Sequence, residues 1–402
     1  MPTLHFRSST FWIVLFCLAL TAACRNEGGG NHDGSSSTAS EGSDTTAKEV
    51  PRLSLELRAQ IGTPSDSLLF GELVGVDVNS NGRIFVGDFQ SSRIYVIGPE
   101  GRLLQSVGRQ GQGPGEFGVL SSVDVGPSDT LFTYDIQQRR LTAFAPPTYE
   151  TAYVESLKTL PNVGESIGLP EAIYPRSDGT FLVKYAEPNT PSRSKNRTRK
   201  AGLARLDRSG TYVDRTVLSM PRRESFYAKS KQGVSYFTSM PFGRKPVVAV
   251  GASDRLFFGW SDSLSVGVYG AGGTLRRRIR HTVPDRRLSE ETTDAFLRQL
   301  EMPFSRPSIR ERTTFPDSWP AFFDLVPDDD GHLWVQIDTG RRNGESVWWI
   351  FDVESGRRVA SASLHGSVDL ECVRNDAAYA IKTTDEGHRT VVKYHITNEA
   401  GI

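Results

Sequence analysis

The chain has 402 residues, 37% hydrophobic and 23% charged, an ordinary composition for a globular protein with a large core. Its 47 Lys and Arg balance 47 Asp and Glu, so no global charge favours a nucleic acid or an acidic substrate. With 38 Gly and 22 Pro against 4 Met, the composition suits a β protein built of many turns.

The N-terminus reads as an export signal. Arg7 supplies a positive charge, and residues 11–20 (FWIVLFCLAL) form an apolar run too short to span a bilayer comfortably. Thr21, Ala22 and Ala23 precede Cys24, and small residues ending at a Cys resemble the bacterial lipoprotein processing box. That box prefers Leu at its first position, where this chain has Thr21 with Leu20 one place early; plain secretion is the alternative. Arg25 stands where an inner-membrane retention signal would have Asp, so the resemblance implies the outer membrane. Cys17 and Cys24 belong to this region, which leaves Cys372 as the only thiol of the folded body and no internal disulfide. Cys372 reads as a small buried hydrophobe. Residues 25–50 are nearly free of large apolar side chains and read as a flexible tether. The expected organisation is a signal peptide over 1–23, a tether over 24–51 that carries a lipidated Cys24, and one folded domain over 52–402.

LSLELRAQI (residues 53–61) alternates strictly and reads as a strand, with Leu55 and Leu57 turned inward, but it belongs to no complete unit. Residues 75–117 then hold four short strands. Their apolar faces are Val76 and Val78, Ile84 and Val86, Ile94 and Val96, and finally Leu103, Leu104 and Val107. Clusters of Asn, Ser, Gly, Pro and Asp separate them, the pattern of antiparallel hairpins. The second unit, from Ser122, repeats the first: Val123-Asp124-Val125 matches Val76-Asp77-Val78, and Asp135 with Arg140 matches Asp88 with Arg93. A third unit begins at Glu171 and resumes at Gly202. The fourth starts at Val248, with Trp260 in place of the repeat Asp, and the fifth at Phe323. The sixth starts near Leu370 and shows about three strands. Six four-stranded units of about 40–50 residues predict an all-β, six-bladed β-propeller. The spare strand at 53–61 is placed to complete the last blade.

Units one and two, with GRQGQGPGEF (residues 108–117) between them, resemble the NHL-type repeats of six-bladed propellers. They are more specifically similar to the six-bladed propeller lipoproteins of bacteria, and the motif is specific over residues 75–147. The resemblance implies the fold. It does not fix the function, because such propellers include binding proteins, lactonases and lyases alike.

In each blade, strands A to D run alternately, so A–B and C–D turns share one face of the disc. On that face every turn is short. The long excursions all fall on the other face: the B–C loop over 186–200, the D–A connections over 221–245 and 281–322, and a smaller B–C loop over 338–346. Residues 289–301 (SEETTDAFLRQLE) predict a short helix with Ser289 as its N-cap and Phe296, Leu297 and Leu300 on one side. These insertions carry Phe226, Tyr227, Tyr236, Phe237, Phe242, Phe304, Phe315, Trp319 and Phe322, interleaved with Arg222, Arg244, Arg306, Arg310 and Arg312. Aromatic residues and Arg are enriched where proteins bind partners. Two readings stay open: a binding surface, and an insertion layer that uses the aromatics as its own core.

Other constellations read as structural. Asp88 and Asp135 recur at one place in the repeat, which fits an Asp tying the B–C turn through backbone N–H groups or the following Arg. Asp328-Asp329-Asp330-Gly331 runs directly into a strand and is a hairpin turn rather than a calcium loop. Residues 108–115 lack the Gly-Lys-Ser/Thr ending of a phosphate loop. The basic runs at 193–200 and 276–278 read as solvated loop and strand edge, with anionic lipid or polymer as the rival partner.

The expected function is that of a lipid-anchored propeller whose insertion-rich face binds an envelope protein or small molecule. Its expected contacts are Tyr227, Tyr236, Phe242, Arg244, Arg306, Arg310, Arg312 and Trp319. It touches the membrane only through the anchor and takes neither nucleic acid nor cofactor. The alternative is a lactonase-type hydrolase or a lyase with a divalent metal in the central channel. Asp77, Asp124, Glu171, Asp324 and Glu371 start the inner strands there, and Asp324 and Glu371 are the candidate ligands.

Overall fold

The computed structural model describes residues 50–163, 166–187, 199–229, 235–284, 286–299, 314–339 and 344–398. After β1 (Leu53–Ile61), blade one is β2 (Leu73–Val78), β3 (Ile84–Asp88), β4 (Arg93–Ile97) and β5 (Leu103–Val107). Blade two is β6 (Leu120–Val125), β7 (Leu131–Asp135), β8 (Arg140–Ala145) and β9 (Glu150–Ser156). Blade three has five strands: β10 (Leu160–Val163), β11 (Ser166–Pro175), β12 (Phe181–Ala186), β13 (Lys200–Leu206) and β14 (Tyr212–Pro221). A separate hairpin, β15 (Ser225–Lys229) with β16 (Ser235–Ser239), follows it. Blade four is β17 (Pro246–Val250), β18 (Leu256–Trp260), β19 (Leu264–Tyr269) and β20 (Leu275–His281), and α1 (Glu290–Gln299) comes next. Blade five is β21 (Asp324–Pro327), β22 (His332–Thr339), β23 (Glu345–Asp352) and β24 (Arg358–His365). Blade six is β25 (Ser367–Arg374), β26 (Ala377–Thr383) and β27 (Arg389–Asn398), completed by β1.

The chain is thus a six-bladed propeller, closed as its spare N-terminal strand predicts. Two elements differ from the sequence reading. Blade three starts at Ser166 rather than Glu171 and gains β10, and the insertion over 221–245 contains the β15–β16 hairpin.

The core lies between the blades. One buried apolar cluster fills each junction: Phe85 and Leu131 between blades one and two, Tyr134 and Tyr185 between two and three, Leu203 and Leu256 between three and four, Phe257 and Phe351 between four and five, Trp348 and Leu370 between five and six, and Val76 and Val391 between six and one. A second strand such as β3 is therefore buried on both faces, whereas the outer strand β5 leaves Leu103 and Leu104 half exposed.

β1 serves two junctions. Leu53 and Leu55 pack against the five–six cluster, and Ile61 is buried in the six–one cluster. A bulge between Leu57 and Ala59 makes this possible, because one extra residue reverses which side chains face which side. Leu57, expected to point inward, sits at the crossover and is 52% exposed.

The A–B turns alternate in kind around the ring. Blades one, three and five use turns that end in Gly82, Gly179 and Gly331, all at positive φ. Blades two, four and six use pairs with positive φ at both residues: Ser128-Asp129, Ser253-Asp254 and Asn375-Asp376. Such pairs match strand twist and favour Asn and Asp. They also clasp the preceding blade. Asp129 accepts the N–H (2.9 Å) and hydroxyl (2.6 Å) of Ser80, and Asp254 accepts those of Ser177 (2.8 and 2.6 Å). Between blades five and six the direction reverses, and Asp329 accepts the Asn375 N–H at 3.1 Å.

The repeat Asp residues are structural. Asp88 accepts N–H groups from Gly71 (3.0 Å) and Gln90 (2.9 Å), and Asp135 from Gly118 (2.6 Å) and Gln138 (2.8 Å). Each ties its B–C turn to the preceding connection. Arg140 instead holds the 108–117 connection through the carbonyls of Gln112 (2.7 Å) and Gly113 (2.8 Å). In blade four, where Trp260 replaces the Asp, the adjacent Ser261 hydroxyl accepts the Lys245 N–H at 3.0 Å. Asp328 opens a hairpin turn, its carboxylate accepting the N–H groups of Asp330 (3.0 Å) and His332 (2.7 Å).

Candidate functional site

Three stretches assemble on the insertion face: the feet of the β15–β16 hairpin, residues 286–299 and residues 314–322. Glu224 and Arg244 close the hairpin's base. The Glu224 N–H donates to the Arg244 carbonyl (2.9 Å), and the Arg244 N–H donates to the Glu224 carboxylate (2.7 Å). The Arg244 guanidinium then reaches across to the Ser318 carbonyl (2.9 Å) and hydroxyl (2.8 Å). The Trp319 N–H donates to the Arg286 carbonyl at 2.6 Å, and the Leu288 N–H to the Asp317 carbonyl at 2.9 Å. α1 begins as predicted, with the Ser289 hydroxyl accepting the Thr292 N–H at 3.1 Å.

Phe242 sits at the centre of this layer. Its ring meets Trp319 edge-on at 4.9 Å and Phe296 at 5.3 Å. Trp319 and Phe296 are buried, so these aromatics form the layer's own core. Phe322 is fully buried in the four–five junction. Phe242, Arg244 and Trp319 of the expected contacts are thus brought together. Tyr227 and Tyr236 lie on the paired strands β15 and β16, and Arg306, Arg310 and Arg312 fall outside the described residues, as do Cys24 and residues 193–198 of the basic run over 193–200.

The acids of the inner strands divide into two groups. Asp77 bridges blades one and two, accepting the N–H groups of Val78 and Val125, both at 2.7 Å. Asp124 lies near Asp77 and Glu371; burial first, then these two charges, push its carboxyl up to about 7. Asp324 accepts the Leu325 N–H at 2.8 Å. Among the described residues, no three of His, Cys, Asp and Glu are placed to hold a metal ion. Cys372 is a buried free thiol whose pKa burial raises, as expected of a packing residue.

Glu171 belongs to the second group, on blade three. It is the extra residue of a bulge in β11, between Pro170 and Ala172. Its carboxylate meets the Arg222 guanidinium at 3.1 Å and the Lys184 ammonium at 3.5 Å. Arg222 also donates to the Glu187 carbonyl, and Arg223 lies close enough to add its charge. Burial opposes ionisation of Glu171, but Lys184, Arg222 and Arg223 outweigh it and hold the carboxyl below its ordinary range. Burial pushes Lys184 down, Glu171 pulls it back up, and the two guanidinium groups oppose Glu171, with a net lowering. Sequence reading missed Lys184 and Arg223. The available signal was a Lys in the apolar run FLVKYA, where blades one and four place Gly87 and Gly259.

A family model for a 6-bladed β-propeller matches residues 63–165. No curated protein matches the chain. Among solved structures it is similar to a candidate exported protein from Bacteroides fragilis, at 14% identity over 89% of this chain and 98% of that one, with a TM-score of 0.50. A member of the DUF4221 family from Bacteroides vulgatus has 11% identity over 87% and 100%, with a TM-score of 0.51. Virginiamycin B lyase from Staphylococcus aureus has 10% identity over 86% and 100%, with a TM-score of 0.42. Such identities speak to fold and carry no activity across. Six blades, five of four strands and one of five, and the matching family model together make this chain a six-bladed β-propeller.

Proposed function

We propose that the chain is an exported lipoprotein, anchored in the outer membrane through Cys24, that binds a small molecule or envelope protein through its insertion-bearing face. The observation that carries this reading is the Arg244 tie. One guanidinium joins the foot of the blade three–four insertion to the blade four–five insertion and holds them as one layer on a rigid ring. Loops fixed on a rigid scaffold are where binding residues concentrate. The name of the Bacteroides fragilis protein is in keeping with export. Phe242 and Trp319 shape the layer from within, while Tyr227, Tyr236, Arg306, Arg310 and Arg312 supply its contacts. The alternative, a metal-dependent hydrolase or lyase in the channel with Asp324 and Glu371 as ligands, draws only on the negative charge that Asp77 and Glu371 bring near Asp124. No three such groups among the described residues are placed to hold a metal ion.

Capture from envelope extract by the wild type, Arg310→Ala, Trp319→Ala, Asp324→Asn and Glu371→Gln separates the two. Arg310→Ala and Trp319→Ala should each weaken capture by more than about 1 kcal/mol, roughly fivefold, and the acid changes should leave it intact. Capture that survives both insertion-face changes defeats the binding reading. A stoichiometric divalent ion, lost together with lactone-hydrolysing or lyase activity in Asp324→Asn or Glu371→Gln, establishes the alternative.

A further inference from the structure

The junction between blades three and four differs from the other five. Inner strands of neighbouring blades run against each other at β2 and β6, β6 and β11, β17 and β21, β21 and β25, and β25 and β2. β11 and β17 approach each other least. The connection that spans this looser junction is also the one that carries the β15–β16 hairpin.

Lys184 faces this junction. Along β12, alternation puts it on the same side as Leu182 and Ala186, and both belong to the three–four core cluster. Arg222 and Arg223 stand at the root of the hairpin connection, directly after β14. Three cations therefore converge on Glu171 where inner strands separate and the insertion begins. An ammonium has three donors, and among the described residues the ion-pair partner of Lys184 is Glu171, at 3.5 Å. The spot is sheltered but reachable, with the Lys184 and Arg222 side chains each 16% exposed and Glu171 24%.

Three like charges held this close, mostly out of water, repel one another, and a second anion beside Glu171 relieves that repulsion. We propose that Lys184, Arg222 and Arg223 form a subsite for an oxyanion, a carboxylate or phosphate group of the ligand bound by the insertion face. This rests on the binding reading of that face. Lys184 supplies a point charge with three donor directions, and the two guanidinium groups supply forked donors of the kind suited to planar or tetrahedral oxyanions. Burial lowers the Lys184 pKa first of all, Glu171 works against that, and Arg223 and Arg222 in turn oppose Glu171; a bound anion would add to the pull of Glu171.

The test is thermal unfolding of the full chain, titrated separately with inorganic phosphate and with citrate at constant ionic strength. The wild type should show a saturable rise in Tm with at least one of the two, and which one responds separates a phosphate from a carboxylate source. Lys184→Met should weaken the apparent affinity at least tenfold. Glu171→Gln, which removes the competing carboxylate, should strengthen it several-fold. Arg276→Gln, on the exposed strand β20, should change nothing. Absence of a saturable response in the wild type, or an equal response in Lys184→Met, overturns the proposal. Should Lys184→Met fail to fold, a Glu171→Gln response no stronger than the wild type's overturns it as well. Because defined anions are used, failure here leaves the Arg310→Ala capture result to judge the binding face on its own.

Discussion

Closure by β1 can be tested one side chain at a time, because its bulge leaves buried and exposed apolar residues on the same strand. Ile61 is 6% exposed among Leu73, Val76, Tyr379 and Val391, while Leu57 is 52% exposed. Truncating a buried Ile to Ala costs about 2–5 kcal/mol. Ile61 ends its strand and can relax, which places Ile61→Ala near the low end, about 2–3 kcal/mol. A domain holds only about 5–15 kcal/mol in total, so this is a large fraction. At roughly 2 °C per kcal/mol for a chain of this size, Tm should fall by about 4–6 °C. Leu57→Ala should stay within about 0.5 kcal/mol of the wild type. Deleting residues 52–60 should do far more, since it strips the partner from β27 and leaves an open edge for aggregation. It also removes the Arg52 link to Glu345 (3.0 Å) and Ser363 (2.9 Å) in blade five. Circular dichroism melts of the three variants beside the wild type decide the matter. Equal melting of Ile61→Ala and Leu57→Ala, or an unchanged curve for the deletion, would refute closure through this strand.

Two further outcomes follow from single residues. The Asp124 carboxyl is raised from 3.8 to about 7 in the folded chain, so between those values the native state holds a proton that the unfolded state has released. Stability therefore falls as pH rises through that window, by at most about 4 kcal/mol, and Asp124→Asn should gain on the wild type between pH 4 and 8 in urea unfolding; parallel curves would count against it. Cells making the chain should incorporate labelled palmitate and cells making Cys24→Ser should not, and a mature protein that starts elsewhere and is released without detergent contradicts the anchor.

The fold was legible because its signals repeat. The Val-Asp-Val motifs, the turn clusters and a three-stranded last unit beside a spare first strand leave few arrangements other than a six-membered ring. The structural role of Asp88 and Asp135 was legible for the same reason. Leu57 was misplaced because a bulge carries no mark in a strictly alternating sequence, and the parity switch at Arg58 appears only in the register with β27. The β15–β16 hairpin was missed because SFYAK and SYFTS are short and aromatic, a pattern shared by strands and binding loops. The layer's core was only half legible. Composition pointed to Phe242 and Trp319, but their meeting with Phe296 depends on packing between two connections distant in sequence. Lys184 was passed over because one Lys in an apolar run is read as an interruption. Only the burial of its neighbours shows that the run continues around it.

The looser three–four junction raises the question of how the ring tolerates it, and the opposite face supplies the answer. There Asp254 of blade four grips the Ser177 N–H and hydroxyl of blade three. Arg176, almost wholly buried, lies 3.6 Å from the same carboxylate and donates to the Ala271 carbonyl of blade four at 2.9 Å. Hydrogen bonds to charged groups contribute roughly 1.5–3 kcal/mol each, enough to fix the blades at that end. Blades one and two have a similar Asp129–Ser80 clasp, yet their inner strands also run together along the channel. At the three–four junction the clasp acts without that support, so the junction is pinned on the turn face and least closed where the insertions begin. The feature that weakens the ring and the one that collects its cations thus occupy the same end of one junction. Filling that end with apolar side chains would close the ring more tightly, and it would remove the sheltered charges on which anion recognition depends.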